Sequence, residues 1–135
     1  MMIRFAQLAL LLLPFACANK PQLLQELGKL PKELSEVSAV QVAAKSDWIW
    51  TLQDSGNAAE LYAIDKFGNL KNTLKIINAS NIDWEDLATD ASGNLYIGDF
   101  GNNANKRQDL SIYKVAQSDL EKTSAAVSAK IGFYL

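Results

Sequence analysis

The residues of this chain that could do chemistry are carboxylates and amides gathered in three short clusters. They are Asp54-Ser55-Gly56-Asn57, Asp83-Trp84-Glu85-Asp86 and Asp99-Phe100-Gly101-Asn102-Asn103. There is no histidine, and Cys17 is the only cysteine. A Ser-His-Asp triad, a Cys-His pair and a His-bound zinc or iron site therefore cannot be built from this chain alone, and a disulfide framework is excluded. Oxygen ligands remain, and carboxylates with amide carbonyls are what a hard divalent cation such as calcium takes. The same residues have a competing use. Asp-x-Gly-Asn suits a tight turn, with Asp accepting from nearby backbone amides and Gly and Asn adopting left-handed angles. Turn chemistry is enough to explain Asp54 and Asp99, whereas no turn explains the acidic pair Glu85-Asp86 beside Trp84. The helix-loop-helix calcium pattern does not fit, because Leu110 stands where its closing glutamate should be.

Something must bring these clusters together, and the sequence points to a repeat. Asp54-Ser55-Gly56-Asn57 recurs as Asp99-Phe100-Gly101-Asn102, at a spacing of 99 − 54 = 45 residues. An apolar or aromatic strand precedes each copy, Trp48 to Leu52 and Leu95 to Ile97, and a second follows each, Leu61 to Ile64 and Leu110 to Val115. Gly68-Asn69 and Gly93-Asn94 are hairpin turn pairs between further strands. A repeat of this length predicts an all-β fold of four-stranded β-propeller blades. The first spans about 37–80 and the second about 81–135. In that geometry the loop between the second and third strands shares a face with the entry to the first. The three acidic clusters then converge on one face, and the turns at Gly68 and Gly93 lie on the other. Two blades would be part of a ring, which predicts an incomplete propeller. Trp48, Trp50 and Trp84 read as packing between blades, and Lys106-Arg107 as a solvated loop tip. Residues 19–36 form a lead-in, either a short helix over Leu23, Leu24, Leu27 and Leu30 or an extended segment interrupted by Gly28 and Pro31.

Residues 1–18 have the pattern of an export signal. Arg4 is followed by the apolar run Leu8 to Phe15, too short to span a bilayer comfortably, and then by Asn19 and Lys20. Two processing routes are open. Cys17 after Ala16 resembles a bacterial lipoprotein signal, which implies lipidation at Cys17 and a membrane anchor. Ala16-Cys17-Ala18 also fits ordinary cleavage, which implies a periplasmic or secreted protein. The net charge of −2 gives no basis for nucleic-acid binding.

The string Asp86-Leu87-Ala88-Thr89-Asp90-Ala91-Ser92-Gly93-Asn94-Leu95-Tyr96-Ile97-Gly98-Asp99 resembles propellers of the NHL and gluconolactonase/senescence-marker type. Asn81 to Leu87, Gly98 to Asn103 and Trp50 to Asn57 are similar to a group of bacterial envelope propellers. The resemblance implies a cation, calcium or another divalent ion, held by Glu, Asn and Asp side chains. On this chain it carries over to Glu85 and Asp86 first, then to Asp99 and Asn102. Two functions follow as expectations: an exported, lipid-anchored ligand-binding or scaffold module of the cell envelope, or part of a metal-dependent lactonase or esterase-type hydrolase. Catalytic residues and the ligand are not indicated.

Overall fold

A computed structural model describes residues 24–44 and 46–134. The export segment and Cys17 lie outside them. The described chain is all-β, with two sheets and one short 3-10 turn at Gln117–Asp119. No helix among the described residues is long and apolar enough to cross a membrane.

The first sheet is an antiparallel meander of β1 (Val37–Val42), β2 (Ile49–Gln53), β3 (Glu60–Ile64) and β4 (Leu70–Ile76). The second contains β5 (Trp84–Thr89), β6 (Leu95–Asp99), β7 (Leu110–Val115) and β9 (Ala129–Phe133) in that spatial order. The long β7–β9 connection contributes β8 (Ser124–Ala125), which adds in parallel to the outer edge of β4. The described segment before β1 is neither helix nor strand, with a turn in which Leu34 N–H donates to the Pro31 carbonyl at 3.0 Å. Pro31 and Gly28 break the leucine spacing that could have favoured a helix.

Two hairpins share one turn chemistry. Asp65 Oδ1 accepts from the N–H groups of Phe67 (2.8 Å) and Asn69 (3.0 Å), and Asp90 Oδ1 accepts from Ser92 (2.9 Å) and Asn94 (3.0 Å). Gly68 and Gly93 sit at φ of 85° and 89°, where a side chain would be strained. These are three-residue loops closed by a left-handed glycine. The aspartate three residues before each glycine organises the turn.

The two sheets repeat each other in register. In the first, Gln53 opposes Val37, a bulge intervenes, and Leu52, Thr51, Trp50 and Ile49 oppose Ala39, Val40, Gln41 and Val42. In the second, Asp99 opposes Trp84, a bulge intervenes, and Gly98, Ile97, Tyr96 and Leu95 oppose Asp86, Leu87, Ala88 and Thr89. The next ladder matches as well: Thr51 and Trp50 oppose Tyr62 and Ala63 as Ile97 and Tyr96 oppose Tyr113 and Lys114. The register therefore equates Gln53 with Asp99, one residue away from the pairing of Asp54 with Asp99 that the recurring motif implies.

The core lies between the sheets. The first contributes Trp50, Leu52, Leu61, Ala63, Leu74 and Ile76, and the second contributes Trp84, Leu87, Leu95, Ile97, Tyr113 and Val115. By register these are opposite faces of the repeat. Trp50 corresponds to Tyr96, on the far side of the second sheet, and Leu95 corresponds to Ile49, on the far side of the first. The sheets are therefore stacked head to tail. Burial of large apolar side chains at about 1.5–3 kcal/mol each makes this interface the main source of stability. Ser38 Oγ, donating to the Trp84 carbonyl at 2.8 Å, ties β1 to β5 directly.

Candidate functional site

Three carboxylates meet where the β2–β3 loop approaches the start of β5. Asp54, Asp83 and Glu85 each offer an oxygen within 4.8 Å of the other two, and all three are half-buried. Asp54 follows β2 in a turn completed by Gly56 at φ 83°, with Asn57 Nδ2 donating to the Asp54 carbonyl at 3.1 Å. Asn57 also donates to Glu36 Oε2 at 2.7 Å, which places a fourth carboxylate at the rim. Asn81 joins the two sheets: its Nδ2 donates to the carbonyls of Gln53 (2.8 Å) and Asp54 (2.9 Å), while its Oδ1 accepts from Trp84 N–H at 3.1 Å.

Asp83 is held from both sides. Its N–H donates to Asp99 Oδ1 at 3.0 Å, and its carbonyl accepts from Gly101 N–H at 3.0 Å. A Cβ on Gly101 would stand 2.2 Å from the Asp83 carboxyl carbon, so a side chain there would displace that carboxylate. Glu85 projects into the cluster because the bulge between Trp84 and Asp86 turns its side chain out of simple alternation.

Of the four residues expected to hold a cation, the structure brings Glu85 into the cluster and distributes the others. Asp86, next along β5, is exposed on the far face of the second sheet, and its Oδ1 accepts from Leu87 N–H at 2.8 Å. Asp99 is fully buried and accepts from Arg107 Nη1 at 2.9 Å and from Asp83 N–H. Asn102 organises the loop after β6: its Oδ1 accepts from Lys106 N–H (2.8 Å) and Arg107 N–H (2.9 Å). Lys106 is exposed, but Arg107 is not a solvated tip. It folds back to bond Asp99 and the Gly101 carbonyl. The turn reading describes Asp54. It does not describe Asp99, which ends a strand and bonds across to the entry of β5.

Close packing of like charges shows in the acidities. Loss of solvent first, and then a hydrogen bond with Asp54, push the Asp83 carboxyl above the ordinary carboxylate range. Loss of solvent, then the charges of Asp54 and Asp83, raise that of Glu85. The opposite end of the sheets behaves in the opposite way. The side-chain bond from Asn94 leads the causes that lower Asp90 to about 2, and that from Asn69 leads those holding Asp65 well below its usual value.

These shifts predict a stability maximum in mildly acid solution. Asp83 and Glu85 bind protons more readily folded than unfolded, so their repulsion weakens the fold at neutral pH and is relieved as pH falls through their raised values. Asp65 and Asp90 bind protons less readily folded. Their contribution is complete above the unfolded value of about 4 and is lost as pH falls toward 2. Without added cation, melting temperature should rise as pH falls from neutrality through the raised carboxylate range and fall again below about 4. A melting temperature that falls steadily from pH 8 would contradict the strain assigned to the cluster.

Comparison with protein-family models, curated proteins and solved structures found no match.

Proposed function

We propose that the two sheets are successive blades of a β-propeller-type binding module, and that the module holds a divalent cation between Asp54, Asp83 and Glu85. The blade reading is supported by the shared register and the head-to-tail stacking, the relation that blades around a common axis have to one another. The observation that carries the cation is the meeting of three carboxylates from two sheets within 4.8 Å. Left alone they repel, and a cation would turn that repulsion into ligation. Carboxylate and carbonyl oxygens with a rim of amides match calcium better than a metal that favours nitrogen or sulfur. Such an ion would leave positions open for an oxygen-rich ligand. With export directed by residues 1–18, the module would work in the cell envelope, and an acylated Cys17 in the mature protein is the mark of the anchored route.

Calcium titration followed by melting temperature tests the cation. The protein should be stabilised by calcium in a saturable way. Glu85→Gln removes one charge from the cluster. Its calcium affinity should fall about tenfold or more, while the metal-free variant should be as stable as the parent or more so, because like-charge repulsion is reduced. A melting temperature indifferent to calcium would defeat the cation reading. A Glu85→Gln variant destabilised equally with and without calcium would make Glu85 structural.

A further inference from the structure

We propose that a cavity between the β1–β2 loop and the 3-10 turn after β7 binds a short neutral oligosaccharide, one sugar ring of which stacks on Trp48 and accepts a hydrogen bond from Trp50. The cavity lies at the other end of β2 from the acidic cluster and needs no cation there. It measures about 200 Å³, room for a ligand of a single ring, and Trp50 and Leu120 are its buried residues. Trp50 is set apart by its indole N–H. It is as completely buried as Trp84, whose indole N–H donates to the Ser80 carbonyl at 3.1 Å. The indole N–H of Trp50 has no acceptor, and among the described residues it is the one buried side-chain polar atom left without a partner. Packing between the sheets explains the ring of Trp50 but not this donor. A buried donor left unmet is costly, so an oxygen acceptor brought into the cavity makes the bond that the fold leaves unmade.

The rest of the lining says what carries that acceptor. Trp48 is half-buried, with its ring centroid 6.1 Å from that of Trp50 and its plane tilted by 60°, so it supplies an aromatic wall. Asp47 and Glu121 are exposed at the rim, and neither is in an ion pair among the described residues. An anion would meet two negative charges. A simple organic cation would suit those charges but brings no acceptor for Trp50. An apolar molecule would satisfy neither. A sugar ring meets all of them together. The C–H groups of its face pack on Trp48, hydroxyl hydrogens go to the carboxylates, and a hydroxyl oxygen accepts from Trp50. The backbones on both sides are already held, which lowers the cost of binding. Gln117 N–H donates to Asn94 Oδ1 at 3.0 Å, the Leu120 carbonyl accepts from Asn72 Nδ2 at 3.0 Å, and Trp48 N–H donates to Ser46 Oγ at 3.1 Å. Trp50 presents no surface to water, so the half-buried ring of Trp48 is the part that gives way as the sugar seats. Trp48 and Asp47 also border a second, more open hollow of about 490 Å³, where Phe67 is 53% exposed. The next sugar of a chain would find its own aromatic surface there.

Titration of the full chain with the trimers of α-linked glucose, β-linked glucose and β-linked N-acetylglucosamine, followed by NMR of the indole N–H groups, tests this. With at least one trimer the Trp50 resonance should move downfield in a saturable way as it gains an acceptor, while that of Trp84 stays in place. The matching monosaccharide should bind about tenfold or more weakly, because it leaves the second hollow empty. Trp48→Ala should weaken the trimer by about tenfold or more. Asp47→Asn combined with Glu121→Gln, both at exposed positions, should weaken it with unchanged circular dichroism, and high salt should leave binding of the unaltered chain intact. Glu85→Gln should not alter the sugar affinity, so failure here and failure of the cation site are separate results. Three results would overturn the proposal. The first is no indole shift with any of the trimers at tens of millimolar. The second is a shift of Trp48 with Trp50 unmoved, which would mean contact at the surface only. The third is saturable, salt-sensitive binding of tetramethylammonium in place of the sugars, which would make the cavity a cation pocket.

Discussion

Replacing Arg107 with methionine is expected to cost about 3–5 kcal/mol of stability, the range for breaking a buried ion pair from one side. The reason lies in what Asp99 keeps. Its carboxylate is fully buried, with Arg107 Nη1 at 2.9 Å, Asp83 N–H at 3.0 Å and the Tyr113 hydroxyl at 3.4 Å. Methionine preserves much of the arginine stem's packing but leaves that charge without its cation. Asp109, the other partner of Arg107, is 57% exposed, and Asp109→Asn should change stability far less, as surface pairs do. Changing Asp99→Asn together with Arg107→Met should recover part of the loss, because the uncompensated charge is then gone. Urea unfolding at pH 7 measures all three. A cost below about 1 kcal/mol for Arg107→Met would show that Asp99 is solvated well enough to stand alone. The pair also matters to the acidic cluster, because the Asp99 oxygen that meets Arg107 also accepts the N–H of Asp83.

Local periodicity made the strands legible. Alternation and the turn signals place β2, β3, β6 and β7 within a residue or two of where they lie, because those signals depend only on neighbours along the chain. The length of the repeat was legible too, but its register was not. The eye aligns Asp54 with Asp99, whereas pairing across the bulges aligns Gln53 with Asp99. A one-residue shift converts a turn aspartate into a buried strand end, and motif similarity cannot register it. Arg107 looked solvated because nothing in the irregular stretch after Asn102 shows that the chain doubles back. The Asx bonds of Asn102 make that return, and they are visible only in three dimensions. β8 is two residues long and carries no period at all. In the cluster, Glu85 could be singled out as an acid with no turn to explain it. Its meeting with Asp54 and Asp83 depends on how the sheets stack. The aspartates Asp65 and Asp90, three residues before their glycines, were a readable turn signal that attention to the Gly-Asn pairs alone passes over.

The head-to-tail stack makes one contrast between substitutions especially sharp. Leu61 and Ile112 occupy the same register position, opposite Leu74 and Ile131. Leu61 is fully buried between the sheets, and Ile112 is half-buried on a face that, among the described residues, no sheet covers. Leu61→Ala should therefore cost about 3–5 kcal/mol, the upper part of the range for a leucine whose cavity cannot collapse. Here it is walled by side chains from both sheets, whose backbones are fixed by ladders on either side. Ile112→Ala should cost about 1 kcal/mol in the dilute monomer, since only part of its surface leaves water on folding. Chemical denaturation at low protein concentration gives both numbers. Equal costs would mean that the far face is covered by the chain itself, and the head-to-tail asymmetry would then not be energetic.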